Sequence, residues 1–187
     1  MTGILYLHGF RSSPESFKAR AMQAAMTARG LGPRFFCPAL SHEPATAIAQ
    51  AEAILAAQGP LTLVGSSLGG YYATWLAEKH DLKAALVNPA VIAHLALRDY
   101  VGVQTNMYSG ESFDFTLEHV AQLQALEAPS LVPAHYFLLV ESGDEVLDYR
   151  QAAARYAGCH QLVLQGGDHS FTRFGEYVPQ ILEFAGL

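Results

Sequence analysis

A serine with glycine two residues to either side is the pattern of an exposed nucleophile, and this chain carries one at Ser67 within Gly65-Ser66-Ser67-Leu68-Gly69-Gly70. The apolar run Leu61-Thr62-Leu63-Val64 precedes it, and Tyr71-Tyr72-Ala73-Thr74-Trp75-Leu76, with helical periodicity, follows. A strand that turns abruptly into a helix forces its central residue into a strained backbone conformation that only small neighbours tolerate, and lifts the hydroxyl clear of the sheet. Ser67, not Ser66, holds that central position. Phosphate-binding turns have a similar outline but a different spacing. A P-loop needs four residues between its glycines and then Lys with Ser or Thr, and G-x-G-x-x-G fails because Ser67 stands where the second glycine belongs.

A hydroxyl is a weak nucleophile near neutrality, so Ser67 needs a base, and the base needs a carboxylate to fix its tautomer. Behind a turn of this kind the chain order is serine, acid, histidine. Of the eight histidines, only His160 and His169 come late enough. His169 lies in Gln165-Gly166-Gly167-Asp168-His169-Ser170, a loop leaving the strand expected over 161–164, whereas His160 enters that strand from its other end. The expected acid is Asp144, directly after Gly143 and just beyond the strand expected over 136–140. Asp148 suits the cap of the next helix instead, and Asp168 suits turn chemistry or a neighbouring cation. His8 belongs to the loop that leaves the first strand and is read as architectural. His42, His80, His94, His119 and His135 receive no functional reading.

Attack on an ester carbonyl builds negative charge on oxygen, which calls for two preset donors. The N–H of Leu68, next to the nucleophile, is one. The other is expected from Leu7-His8-Gly9-Phe10-Arg11, where Gly9 lets the backbone swing the Phe10 N–H toward Ser67.

The elements that must position these residues are legible as alternation. Short apolar runs at 4–7, 34–37, 61–64, 84–87, 136–140 and 161–164 read as strands, and segments of helical period at 14–29, 45–58, 68–80, 149–156 and 174–184 read as helices. That order builds an α/β fold, a mostly parallel sheet flanked by helices. Ser13-Pro14 reads as a helix start, and Gly30 and Gly59 as helix ends. The stretch 91–133 breaks the alternation, with a Gly-Ser-containing middle and a helical tail over 116–126. It is read as a short cap over the site. Tyr71, Tyr72, Phe113 and Phe115 are candidates for the pocket wall, with core packing as the competing role.

The 187 residues suit one domain, 51% of them are apolar, and only 15% are charged, a balance that supports a packed core. A net charge of −6 with three lysines, Lys18, Lys79 and Lys83, offers no basic stripe for nucleic acid. The strand-like Ile4-Leu5-Tyr6-Leu7 begins too early to leave room for a signal peptide, and no apolar run is long enough to span a membrane, so a cytoplasmic protein is expected. Cys37 and Cys159 lack metal-site or scaffold spacing and read as ordinary thiols.

Taken together, Tyr6-Leu7-His8-Gly9-Phe10, the long motif 65–76, Val87-Asn88-Pro89-Ala90-Val91, Gly143-Asp144-Glu145-Val146-Leu147-Asp148-Tyr149-Arg150 and Gly166-Gly167-Asp168-His169-Ser170-Phe171 resemble the small bacterial YqiA/YcfP-type esterases of the α/β-hydrolase superfamily. The resemblance runs from Leu5 to about Phe184. It implies esterase or acyl-thioesterase activity, with Ser67 as nucleophile, Asp144 as acid, His169 as base, and Phe10 and Leu68 as oxyanion donors. Two positions depart from the family pattern: Val91-Ile92-Ala93 stands where an Arg-Pro pair is frequent, and Asp168 where asparagine is common.

The expected chemistry is therefore two-step acyl transfer from a small-molecule ester or thioester to water through an acyl-enzyme, with no cofactor and no metal. An acyltransferase, and a ligand-binding protein that keeps the fold without turnover, are the alternatives. Acyl length, leaving group and oligomeric state are left open by the sequence.

Overall fold

The computed structural model describes residues 3–187. Strand β1 (Ile4–Leu7) is wholly buried, and its continuous apolar run suits a parallel strand covered on both faces. Helix α1 (Phe17–Ala28) follows, then a two-residue edge strand β2 (Phe35–Phe36) and helix α2 (Pro44–Gln58). Next come β3 (Thr62–Ser66), α3 (Leu68–His80) and β4 (Ala84–Val87). After a short helix α4 (Ala93–Ala96), a hairpin of β5 (Gly102–Thr105) and β6 (Ser112–Phe115) leads into α5 (Leu117–Ala125). The chain returns to the sheet as β7 (Tyr136–Glu141), α6 (Tyr149–Arg155) and β8 (His160–Leu164), and ends in α7 (Phe174–Ala185).

Among the described residues the main sheet has six strands in the order β2-β1-β3-β4-β7-β8, every pair parallel. Period-two alternation splits its side chains between two cores. Leu5, Leu7, Leu63 and Leu138 pack under α2, α3, α5 and α6, while Ile4, Tyr6, Val64 and Leu139 pack under α1 and α7. The order reverses at β1: one connection leads outward to β2 and the next returns to β3 on the other side. Ligands of open α/β sheets bind in the crevice at such a switch, outside the carboxyl ends of the strands. The loops after β1 and β3 carry Phe10 and Ser67 to that crevice.

Two expectations needed correction, and one segment holds an element that the sequence did not place. Helix α1 does not start at Ser13-Pro14: the Ser13 hydroxyl accepts from the Glu15 N–H and closes a turn of its own, and Ser16 is the cap, accepting from the Ala19 N–H. Strand 34–37 shrinks to two residues because a turn of 3₁₀ helix occupies Gly32–Arg34. The 91–133 stretch contains an antiparallel hairpin, with Gly102 opposite Phe115 and Thr105 opposite Ser112. Its four-residue strands alternate too briefly to register as strands in the sequence.

Candidate active site

The turn from β3 into α3 places Ser67 at φ 54°, ψ −120°, a sparsely populated conformation for any residue with a side chain. The flanking glycines are required by contact distances. A Cβ on Gly65 would lie 2.4 Å from the Gly69 carbonyl oxygen, and one on Gly69 would lie 1.9 Å from that of Leu7. The turn is bonded from both sides. The Ser67 N–H donates to the Val87 carbonyl, and the Ser67 carbonyl accepts from the N–H of Ala90 and of Gly70.

His169 reaches this serine from the loop after β8. Its Nε2 lies 3.0 Å from Ser67 Oγ and its Nδ1 2.8 Å from Asp144 Oδ2. The Asp144 side chain is 2% exposed, and its second oxygen accepts from the N–H groups of Val146 and Leu147. A carboxylate can only accept, so this network assigns the imidazole proton to Nδ1 and leaves the Nε2 lone pair facing the serine hydroxyl. The three side chains, 102 positions apart at the extremes, meet at the carboxyl edge of the sheet.

The competing residues go elsewhere. Asp148 accepts from the Arg150 N–H and caps α6. His160 stacks on Phe137 with ring centroids 4.5 Å apart, at the opposite end of β8. Asp168 contributes mainly backbone: its N–H donates to Glu141 Oε2 and its carbonyl accepts from Asn88 Nδ2. Its side chain lies close enough to Lys18 for their charges to interact, and burial still pushes the Lys18 ammonium down to about 8.

The N–H of Leu68 opens α3, and that of Phe10 lies in the loop after β1; neither donates to an acceptor among the described residues. The loop presses on the nucleophile, since a Cβ on Gly9 would come within 3.3 Å of Ser67 Cβ. His8 ties the loop down. Its Nε2 accepts from the Leu40 N–H at 3.1 Å, its Nδ1 pairs with the Gly9 carbonyl, and burial holds its pKa below the usual histidine value.

Sequence reasoning passed over the groups that hold the histidine loop. Asn88, in the left-handed region at φ 40°, donates from Nδ2 to the carbonyls of Asp168 and His169 and accepts at Oδ1 from the Glu141 N–H. Glu141, 0% exposed, accepts from Asp168 N–H on one oxygen and from Arg173 Nε on the other. The Glu145 carboxylate accepts from the His169 N–H, which holds its pKa below the usual range. A carboxylate closing the otherwise apolar run Tyr136-Phe137-Leu138-Leu139-Val140 was the available signal.

A cavity of about 370 Å³ opens beside Ser67, bordered by Phe10, Leu97, Tyr100, Met107 and Leu147. None of the four aromatic residues singled out in the sequence lines it. Tyr71 donates to the Leu123 carbonyl within the core, Phe115 packs edge-on against Phe10 at 5.0 Å, and Tyr72 and Phe113 border a neighbouring cavity that shares Phe10, Arg11 and Leu68 with this one. The hairpin supplies Met107 and is anchored to the β1 exit loop, through the Met107 N–H to the Arg11 carbonyl and Arg11 Nε to the Thr105 carbonyl.

A family model, the Uncharacterised protein family (UPF0227), matches residues 3–186. The chain belongs to that family. The UPF0227 chain is also similar in structure to a mouse protein named alpha/beta hydrolase domain-containing protein 10, at 18% identity and TM-score 0.72, covering 98% of this chain and 89% of that one. Est1E from Butyrivibrio proteoclasticus matches at 17% identity and TM-score 0.69, covering 100% and 88%. An esterase domain from Rhodothermus marinus matches at 19% and 0.67, covering 96% and 83%. At these identities the likeness establishes the α/β-hydrolase fold expected from the sequence. Among the described residues of this UPF0227 protein, no helix is long and apolar enough to cross a membrane.

Proposed function

We propose that this UPF0227 protein is a serine esterase, cleaving acyl esters or thioesters by way of an acyl-enzyme on Ser67. The observation that carries the reading is the placement of His169, with Nε2 3.0 Å from the Ser67 hydroxyl and Nδ1 2.8 Å from the Asp144 carboxylate. In the first step His169 takes the Ser67 proton as Oγ bonds to the carbonyl carbon. Asp144 keeps the imidazole in its working tautomer and offsets the charge it gains. The N–H groups of Phe10 and Leu68 receive the carbonyl oxygen as it becomes an oxyanion. The leaving group then departs with the proton from His169, and water activated by His169 releases the acid.

On this reading the chain is one α/β-hydrolase domain working in the cytoplasm, and 91–133 is its cap. Family membership and the names of the structural neighbours, esterases among them, support the reaction class. The test is Ser67→Ala against a nitrophenyl ester. Turnover should drop by several orders of magnitude while the far-ultraviolet dichroism is retained, and a fluorophosphonate should label the parent protein but not the variant. Undiminished turnover in Ser67→Ala would falsify the proposal.

A further inference from the structure

Leu68, a proposed oxyanion donor, and Tyr72 stand four residues apart in α3, so they share a face of the helix one turn from each other, about 6 Å along its axis. Aromatic side chains of a helix lean toward its N-terminus, which brings the Tyr72 phenol back toward Leu68. Both residues border a cavity of about 290 Å³ that also touches Gly9 and Phe10. It shares Phe10, Arg11 and Leu68 with the cavity beside Ser67, but neither Ser67 nor His169 borders it.

Resting on the esterase reading above, we infer that this second cavity receives the far part of the acyl group, and that the Tyr72 hydroxyl selects acyl chains carrying one neutral, hydrogen-bond-accepting oxygen, such as a keto group.

Tyr72 is 3% exposed. Its hydroxyl forms no hydrogen bond among the described residues, yet it is not sealed off from solvent. Tyr72 borders this cavity and not the one beside Ser67, so the cavity is where that hydroxyl opens. Burial keeps the phenol protonated and therefore a donor. Polar neighbours in the wall are already spent. His8 is held by the Leu40 N–H and the Gly9 carbonyl, and the Asn106 amide by the backbone of Ser12, Tyr108 and Ser109. An unpaired donor in so confined a place is costly, and a ligand oxygen would satisfy it.

The direction of the reaction assigns the half of the ester. As Ser67 Oγ bonds to the carbonyl carbon, the bond from that carbon to the alkoxy oxygen breaks, and the proton taken from Ser67 passes from His169 to that oxygen. The leaving group must therefore lie against His169, which this cavity does not touch. The acyl group needs no contact with His169 and is the half that can extend past Phe10 and Leu68. Charge narrows the class further. Phe10, Leu40, Leu68 and Phe113 supply apolar wall, and Arg11 and Glu111 bring one charge of each sign to the border. A mostly apolar chain with a single uncharged oxygen matches that wall, whereas a carboxylate would lose its hydration without a surplus of positive charge to replace it.

The experiment measures kcat/KM for nitrophenyl esters of keto acids against those of their methyl-branched isosteres, in which CH–CH₃ replaces C=O. The keto group is placed about three to six bonds from the ester carbonyl, to span the turn of helix between Leu68 and Tyr72. At its best position the keto ester should be preferred by about fivefold or more. Tyr72→Phe deletes only a hydroxyl without a protein partner and should bring the two esters to within about twofold of each other. Tyr71→Phe removes a hydroxyl already bonded to the Leu123 carbonyl and should leave the preference unmoved. The ratio cancels any general loss of activity. No preference at any position, a preference unmoved by Tyr72→Phe or cut equally by Tyr71→Phe, or a larger preference for the matching ester with a terminal carboxylate would overturn the inference. If the isosteres are cleaved in that case in a Ser67-dependent manner, the esterase reading stands and only the acyl class fails; if no ester is cleaved, both fail.

Discussion

Glu141 accepts a hydrogen bond from the guanidinium of Arg173 while having no exposure to solvent, and its other oxygen holds the N–H of Asp168, the residue before the proposed base. With Asn88 bonded to the two carbonyls at Asp168 and His169, the peptide that carries the imidazole is gripped from both β4 and β7. A loop in water would not hold Nε2 on a hydroxyl by itself.

Glu141→Gln keeps the shape of that grip and reverses one of its bonds, because an amide N–H must then face either the Asp168 N–H or the Arg173 guanidinium. The expected result is a fall in kcat of up to about a hundredfold with KM little changed, as for a reacting group displaced by about 1 Å. Fluorophosphonate labelling of Ser67 should slow in parallel. Labelling at the parental rate would show that the loop is held without this carboxylate.

Asp144→Asn tests the tautomer. The Val146 and Leu147 N–H groups still find the amide oxygen, so the amide NH₂ must point at Nδ1 and drive the imidazole proton to Nε2. Turnover should fall by about ten-thousandfold, with the urea midpoint close to that of the parent protein. A loss smaller than tenfold would mean that another group orients His169.

Two glycine substitutions should have opposite signs. Gly69→Ala puts a Cβ 1.9 Å from the Leu7 carbonyl oxygen, where backbone must move, and should destabilise by at least the about 1–3 kcal/mol of ordinary overpacking. Gly175→Ala meets nothing within 4 Å in the first turn of α7 and should stabilise by up to about 1 kcal/mol. Thermal melts of the two variants check both.

His8 predicts a pH dependence of stability. Burial lowers its pKa in the folded protein below the ordinary 6.5, so the unfolded chain binds more protons as the solution is acidified. The stability that neutral His8 contributes is therefore present above 6.5 and declines as pH falls through 6.5 toward the lower folded value. His8→Gln removes that titration. Urea midpoints of parent and variant should be further apart at pH 7 than at about pH 5, and a constant difference would exclude a role for this histidine in the pH response.

The parallel sheet was legible in the sequence because strands buried on both faces leave continuous apolar runs, and the elbow because its contact distances admit only glycine at positions 65 and 69. The hairpin was not, since Val103 and Thr105 face solvent and Phe113 and Phe115 face inward over only four residues each. Of the two roles left open for the four aromatic residues, Tyr71 takes the core one. An aromatic residue next to a nucleophile in the chain turns into the core when it lies on the buried side of the helix, as Tyr71 does.

What the sequence determined by itself is the set of chemically distinctive groups and the order of the elements that carry them: residue type and local period are properties of neighbours along the chain. Only the tertiary structure brought Ser67, Asp144 and His169 within hydrogen-bonding distance, set Asn88, Glu141 and Arg173 around the histidine loop, and opened a cavity beside Ser67. Those relationships join residues up to 102 positions apart. They depend on the stacking of parallel strands, which aligns loop ends at one rim whatever the distance between them in the chain.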